Sequence, residues 1–187
     1  MRLKSALRRG VAAAVIAGIV VSSGIPAYAA QWDIADGNIT VKAGDAEGTN
    51  RVTQGEKDVE DTDTAGKSDE HTVTIDTSEG NVDVTFDDLK IDVSGKAEVD
   101  GSGDSPVDAG KAAVTVQGDH DATIELDGKN ELKSGSYNAG LEKNEHESEG
   151  TLTIKDDKGK DGSLTAEGGD GGGAGIGGGK ESTGSNI

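Results

Sequence analysis

Residues 122–132 read Ala-Thr-Ile-Glu-Leu-Asp-Gly-Lys-Asn-Glu-Leu, with Ile124 and Leu126 on alternate positions and an Asp-Gly pair where the run breaks. Alternation with period two is the mark of a strand with one face buried, and Gly, Asp, Asn and Ser are the residues that make turns between strands. The same texture recurs along the chain. Val73 with Ile75, Val82 with Val84 and Phe86, Leu89 with Ile91 and Val93, Val114 with Val116, and Leu152 with Ile154 form such runs, followed by Leu164. Each run is short and bounded by turn residues. No stretch beyond residue 30 carries the 3.6-residue periodicity of an amphipathic helix.

A phrase repeats as well as a texture. Gly37-Asn38-Ile39-Thr40-Val41, Gly80-Asn81-Val82-Asp83-Val84 and Gly150-Thr151-Leu152-Thr153-Ile154 are one strand opening in three versions, and Gly184-Ser185-Asn186-Ile187 begins it again. The spacing is loose, at some 30 to 40 residues per repeat, enough for two or three strands. Repeats that stack their like residues on one another predict a parallel β-helix, a solenoid, over residues 71–187. Its last strand edge would stand unpaired, so further repeats are expected beyond Ile187. In the glycine-rich run 168–179, Ala174 and Ile176 are expected to point inward as a minimal strand. The spacing Gly173, Gly175, Gly178 matches a dinucleotide loop only superficially, since neither helix nor downstream acid follows.

The first 29 residues stand apart. Arg2, Lys4, Arg8 and Arg9 precede an uncharged apolar run, Val11 to Val21, and Ala27-Tyr28-Ala29 supplies small residues at the positions signal peptidase reads. A signal peptide over 1–29, cleaved after Ala29, places the protein outside the cell, secreted or at the cell surface. No later stretch has the length of apolar residues that a transmembrane helix needs. Removing the leader takes four of 18 basic residues and none of 36 acidic ones, so 14 remain against 36 and the net charge is −22. That field repels nucleic acid and favours basic partners and divalent cations. Residues 30–70 begin with the strand at 39–41 and then dissolve into Gly, Asp, Glu, Thr and Lys, which predicts a partly disordered, flexible acidic segment.

The core must be built from small side chains. Past the leader the sequence holds Trp32, Phe86 and Tyr137 as its aromatic residues and has no cysteine, so neither disulfides nor thiolate chemistry can contribute. A catalytic centre finds no signature. His71, His120 and His146 lie in polar, turn-like sequence without metal-ligand spacing, no Gly-x-Ser-x-Gly elbow occurs, and a carboxylate pair is uninformative where carboxylates are everywhere.

Calcium is the ligand that the composition favours, because carboxylates and turn carbonyls are the oxygens it prefers. The candidate ligands are Asp87 with Asp88, Asp119 with Asp121, and Asp156 with Asp157, and further Asp61 with Asp63. Each pair is most simply a solvated turn, but stacked acidic turns repel, and bound cations would relieve them. Tyr137, in Gly135-Ser136-Tyr137-Asn138, is an aromatic residue set in a turn.

The phrases Lys-Ala-Ala-Val-Thr-Val (111–116), Ala-Thr-Ile-Glu-Leu-Asp-Gly-Lys-Asn-Glu-Leu (122–132), Ala-Gly-Leu-Glu-Lys-Asn (139–144), Gly-Thr-Leu-Thr-Ile (150–154), Gly-Ser-Leu-Thr-Ala (162–166) and Ala-Gly-Ile-Gly-Gly-Gly (174–179) resemble those of the β-helical carbohydrate-binding domain-containing surface proteins of Gram-positive and gut bacteria. The resemblance covers the latter half of the chain well and residues 71–110 more loosely. It implies a right-handed parallel β-helix shaped like the pectate lyases, calcium at its repeats, and attachment to acidic or plant-type polysaccharide or a cell-surface glycan, with Tyr137 as the aromatic residue for the sugar contact. The expectation is a non-catalytic, adhesin-like carbohydrate-binding protein. The alternative is a structural stalk or spacer, and a polysaccharide lyase ranks below both.

Overall fold

The computed structural model describes residues 19–21, 30–46, 48–55, 57–60, 62–65, 67–95, 110–157 and 161–187. The described residues form 17 strands and a single 3₁₀ turn, with no α-helix among them. In chain order these are β1 (Ile19–Val21), β2 (Ala30–Asp33), the 3₁₀ turn Ile34–Asp36, β3 (Ile39–Ala43), β4 (Asn50–Gln54), β5 (Lys57–Glu60), β6 (Thr62–Ala65), β7 (Lys67–Ser68), β8 (Val73–Asp76), β9 (Val82–Asp87), β10 (Lys90–Asp92), β11 (Val114–Gln117), β12 (Ala122–Asp127), β13 (Lys129–Lys133), β14 (Leu141–Glu142), β15 (Leu152–Lys155), β16 (Ser163–Glu167) and β17 (Ile176–Gly177). They pair into three sheets. Sheet I runs β15-β12-β9-β1-β6-β2, sheet II runs β17-β14-β11-β8-β3-β4-β5, and sheet III runs β16-β13-β10-β7.

This layout corrects the expected right-handed parallel β-helix. The sheets are open, and two of them are mixed rather than parallel. β1 pairs antiparallel with both β6 and β9, and β3, β4 and β5 form an antiparallel meander. The physical reason for the meander lies in its corners. Gly48 and Gly55 take φ of 76° and 61°, the left-handed conformation that tight reversals demand and glycine supplies without steric cost. A short reversal can only join antiparallel neighbours. Thus the acidic segment read as a linker contributes strands β2 to β7, and its alternation hides behind polar inward residues: Asn50, Val52 and Gln54 are all buried on β4. The proposed leader lies outside the described residues except for Ile19–Val21.

Parallel pairing does hold from β7 onward. Val82, Ala122 and Leu152 stand side by side in sheet I, as do Val84, Ile124 and Ile154. In sheet II, Ile39, Val73, Val114, Leu141 and Ile176 form one row. In sheet III, Ser68, Ile91, Leu132 and Ala166 form another. Nearly all the aliphatic members of these rows are buried, and Phe86 is fully enclosed among them. Each fully buried side chain of this size stabilises by about 1.5–3 kcal/mol, which is how a chain with one phenylalanine assembles a core. Ile176 departs from expectation. It is 40% exposed, because no described strand lies beyond β17 to cover it.

The repeated phrase has a structural meaning, though not a single one. Gly37-Asn38 opens β3 in sheet II, whereas Gly80-Asn81 and Gly150-Thr151 open β9 and β15 in sheet I. In both sheets the polar residue links one repeat to the next. Asn38 Oδ1 accepts from Thr72 N at 2.9 Å, Asn81 Oδ1 from Asp121 N at 3.2 Å, and Asp121 Oδ1 from Thr151 N at 2.7 Å. Leu152 N then donates to Asn186 O at 2.8 Å, so the final phrase pairs in the same ladder.

Asn130 makes the densest of these links. Fully buried on β13, it accepts from Leu89 N at 2.9 Å and donates to Asp127 O and Ser163 O, both at 3.1 Å. Truncation would strand one buried donor and leave two carbonyls without this partner. Asn130→Ala is expected to destabilise by about 2–3 kcal/mol, and the exposed Asn81→Ala by less than about 1 kcal/mol, in urea unfolding. Equal losses would contradict the role given to Asn130.

Candidate carbohydrate-contact turn and the acidic turns

Tyr137 sits in the turn between β13 and β14 with φ of 70°, a left-handed conformation that is costly for a residue with a Cβ. The surrounding hydrogen bonds fix it there. Tyr137 N donates to Asp170 O at 2.8 Å, and Lys180 N donates to Tyr137 O at 2.7 Å. Gly171 packs against the ring so closely that a Cβ on it would lie 2.3 Å from Tyr137 Cε1. On the ring itself rests the Lys180 ammonium, 4.4 Å from the centroid, in cation–π contact. Glu181, next to that lysine, is also left-handed at φ 62°. The half-buried ring is therefore anchored from two turns, and a sugar stacking on the lysine's side would have to displace that ammonium.

Polar groups adjoin the ring in fixed positions. Gly179 N donates to Asn144 Oδ1 at 3.0 Å, and Asn144 Nδ2 is shared between Glu142 Oε1 at 3.1 Å and Glu147 Oε2 at 3.2 Å. Glu142 Oε2 accepts from Ala139 N at 3.0 Å. Burial pushes the Glu142 carboxyl above the usual carboxylate range and Glu147 adds repulsion, against the lowering by those hydrogen bonds. Beside it Lys143 is wholly buried, its Nζ donating to Ser148 O at 3.0 Å and Ser185 O at 2.8 Å, and burial lowers its pKa. The turn after β14 and the segment 183–186 are thereby pinned together.

The six aspartates proposed as calcium ligands fall in two places. Asp87 ends β9 and Asp88 follows it, and Asp156 and Asp157 follow β15; since β9, β12 and β15 are parallel neighbours, both pairs lie at the same edge of sheet I. Asp119 and Asp121 precede β12 at the opposite edge. Several of these carboxylates already hold backbone amides. Asp88 Oδ1 accepts from Lys129 N at 2.8 Å, Asp121 Oδ1 from Thr151 N at 2.7 Å and Asp156 Oδ2 from Gly162 N at 3.1 Å, while Asp157 Oδ2 meets Lys155 Nζ at 3.1 Å. Asp119 is an exposed turn residue. Asp87 is buried and in register with Asp127, which places two like charges side by side. Among the described residues no three His, Asp or Glu side chains are grouped to hold a metal ion. Asp61 and the side chain of Asp63 lie outside the described residues.

The three histidines stay apart from one another's chemistry. His120 Nδ1 meets Thr77 O at 2.8 Å, and the exposed His146 pairs with its neighbour Glu145 at 3.4 Å. Among the described residues no helix is long and apolar enough to cross a membrane. No protein-family profile, curated protein or solved structure matches this chain.

The Glu142 shift gives a testable pH dependence. A carboxyl whose folded pKa lies above its unfolded value costs stability as pH rises from the unfolded value through the folded one. The wild-type protein should lose stability relative to Glu142→Gln across that interval. Urea unfolding followed from mildly acidic to neutral pH reads the difference, and a pH-independent gap between the two proteins would refute it.

Proposed function

We propose that the protein is a non-catalytic carbohydrate-binding protein of the cell exterior, with Tyr137 as the contact for a sugar ring. The observation that carries this reading is the Tyr137 turn. A surface aromatic is held in a costly backbone conformation by hydrogen bonds from a second turn, and strain maintained by its surroundings concentrates at binding sites. The neighbouring ammonium of Lys180 offers donors to hydroxyl groups, and Glu147, held through Asn144 to the buried Glu142, offers an exposed carboxylate. Export is supported by the leader-like start of the sequence, and the glycan class by the resemblance of its repeated phrases to those of carbohydrate-binding surface proteins.

Calcium enters this reading as a counter-ion for the acidic edges. The charge of −22 left once the basic residues of the leader are gone, and the in-register Asp87 and Asp127, both favour a bound divalent cation. A second reading, a surface spacer, draws on the row-by-row stacking of parallel strands, which stiffens a chain along the stacking direction. The two part company at the tyrosine, because a spacer has no use for its ring.

Glycan-array binding of the purified protein should fall by at least about tenfold on Tyr137→Ala, the loss of one stacking contact and its hydrogen bonds, and should weaken when calcium is chelated. Binding that survives both treatments unchanged would exclude this mechanism.

A further inference from the structure

Sheet III brings together three lysines that the sequence scatters. Parallel register sets Lys67, Lys90 and Glu131 side by side, and two residues further along sets Asp92, Lys133 and Glu167 side by side. The residues between them, Ser68, Ile91 and Leu132, are buried, so by alternation the charged residues face outward. Lys67, Lys90, Ile91, Asp92, Glu131 and Lys133 line a groove of about 240 Å³. In a chain of net charge −18, three ammonium groups on one small surface, set against Asp92 and Glu131 in the groove and Glu167 beside it, make a local patch without the chain's negative excess.

Their charges are unequally satisfied. Lys90 lies 3.6 Å from Glu131 and Lys133 lies 3.6 Å from Glu167, both pairs being substantially exposed and therefore cheap to exchange. Lys67 makes no hydrogen bond or ion pair among the described residues. Asp92 is turned toward its own turn, its Oδ1 accepting from Ser94 Oγ at 2.6 Å and Ser94 N at 3.3 Å. The Ser94 hydroxyl chiefly, then its amide and the charges of Lys133 and Lys67, hold that carboxyl below the usual range.

We propose that this groove is an oxyanion site centred on Lys67, with Lys90 and Lys133 beside it, for a carboxylate, sulfate or phosphate group carried on a saccharide chain. Asp92 and Glu131 decide the kind of ligand. Their carboxylates accept hydrogen bonds from the hydroxyls that a charged saccharide presents beside its anionic group, donors that a polyphosphate chain lacks. Neighbouring strands are spaced about 4.8 Å apart, comparable to one pyranose ring, so an extended chain can run across sheet III in step with its strands. The site lies on a different sheet from the Tyr137 turn and shares with it only the ligand class.

The test uses the full chain with polygalacturonate, dextran sulfate, inorganic polyphosphate and neutral dextran as probes, by calorimetry at low and high salt. At least one of the two charged saccharides is expected to bind at low salt and weaken as salt screens the lysines, with neutral dextran and polyphosphate weaker. Lys67→Gln should cost about tenfold, the worth of one hydrogen bond to a charged group, while Lys129→Gln, on the same sheet outside the groove, should leave this binding unchanged. Circular dichroism of each variant confirms that the strands persist. Charged saccharides that bind no better than dextran, or unchanged affinity in Lys67→Gln, would overturn the site. Polyphosphate binding tighter than either charged saccharide would overturn the choice of a saccharide. Failure of Tyr137-dependent binding with Lys67-dependent binding intact would sink the tyrosine reading and leave the groove standing.

Discussion

The backbone ladder between parallel neighbours in a shared register is the constraint on which the rest depends. With one phenylalanine and no cysteine, this chain cannot gather a core around a few large side chains or tie it with covalent links. It instead repeats small aliphatic residues and lines them up. Val84 meets Ile124, and Ile124 meets Ile154, because the strands are paired in that register and no other. A slip of one residue would turn every inward side chain outward. Register is therefore worth more here than any single contact, and the polar groups at the strand openings enforce it.

Those polar groups also explain much of the chain's acidity. Asp88 and Asp121 each accept from a backbone amide of a neighbouring repeat, Asp156 from Gly162 N within its own connection, and Glu125 from Asp157 N at 2.8 Å. Carboxylates used in this way satisfy amides that lie outside the strand ladders. The same device positions the Tyr137 turn, where Glu142 and Asn144 bridge the loop before β14 and the glycine-rich segment that carries Lys180. Glycine at 171 lets the backbone approach the ring. The side chains of the proposed site are thus supported by the features that keep the repeats in step.

The strands at 73–76, 82–87, 114–117, 122–127 and 152–155 were legible because each carries aliphatic residues on alternate positions. β13 was not. Of Lys129-Asn130-Glu131-Leu132-Lys133 only Leu132 is apolar, and its second inward residue is the fully hydrogen-bonded Asn130. The strand at 39–41 was legible as the start of β3, but the rest of the meander escaped for a similar reason, since Asn50 and Gln54 occupy inward positions of β4. Alternation also cannot tell parallel from antiparallel pairing, which is why the sheets differ from the solenoid that the repeat suggested. Among the site residues, Tyr137 could be found from its turn sequence. The lysines of sheet III could not, because Lys67-Ser68-Asp69, Lys90-Ile91-Asp92 and Glu131-Leu132-Lys133 become one surface only after register is known. Their shared polar–small or apolar–polar pattern was the available signal.

Native-state hydrogen exchange tests the dependence on shared register most directly. Val82 N donates to Asp121 O at 3.0 Å, Ala122 N to Thr151 O at 2.9 Å and Leu152 N to Asn186 O at 2.8 Å, which links four successive segments. If the ladder holds the fold together, these three amides open as one unit, with a common free energy far above that of the exposed turn at Gly48. Exchange of any of the three at the rate of that turn, or with opening free energies unrelated to one another, would contradict the account.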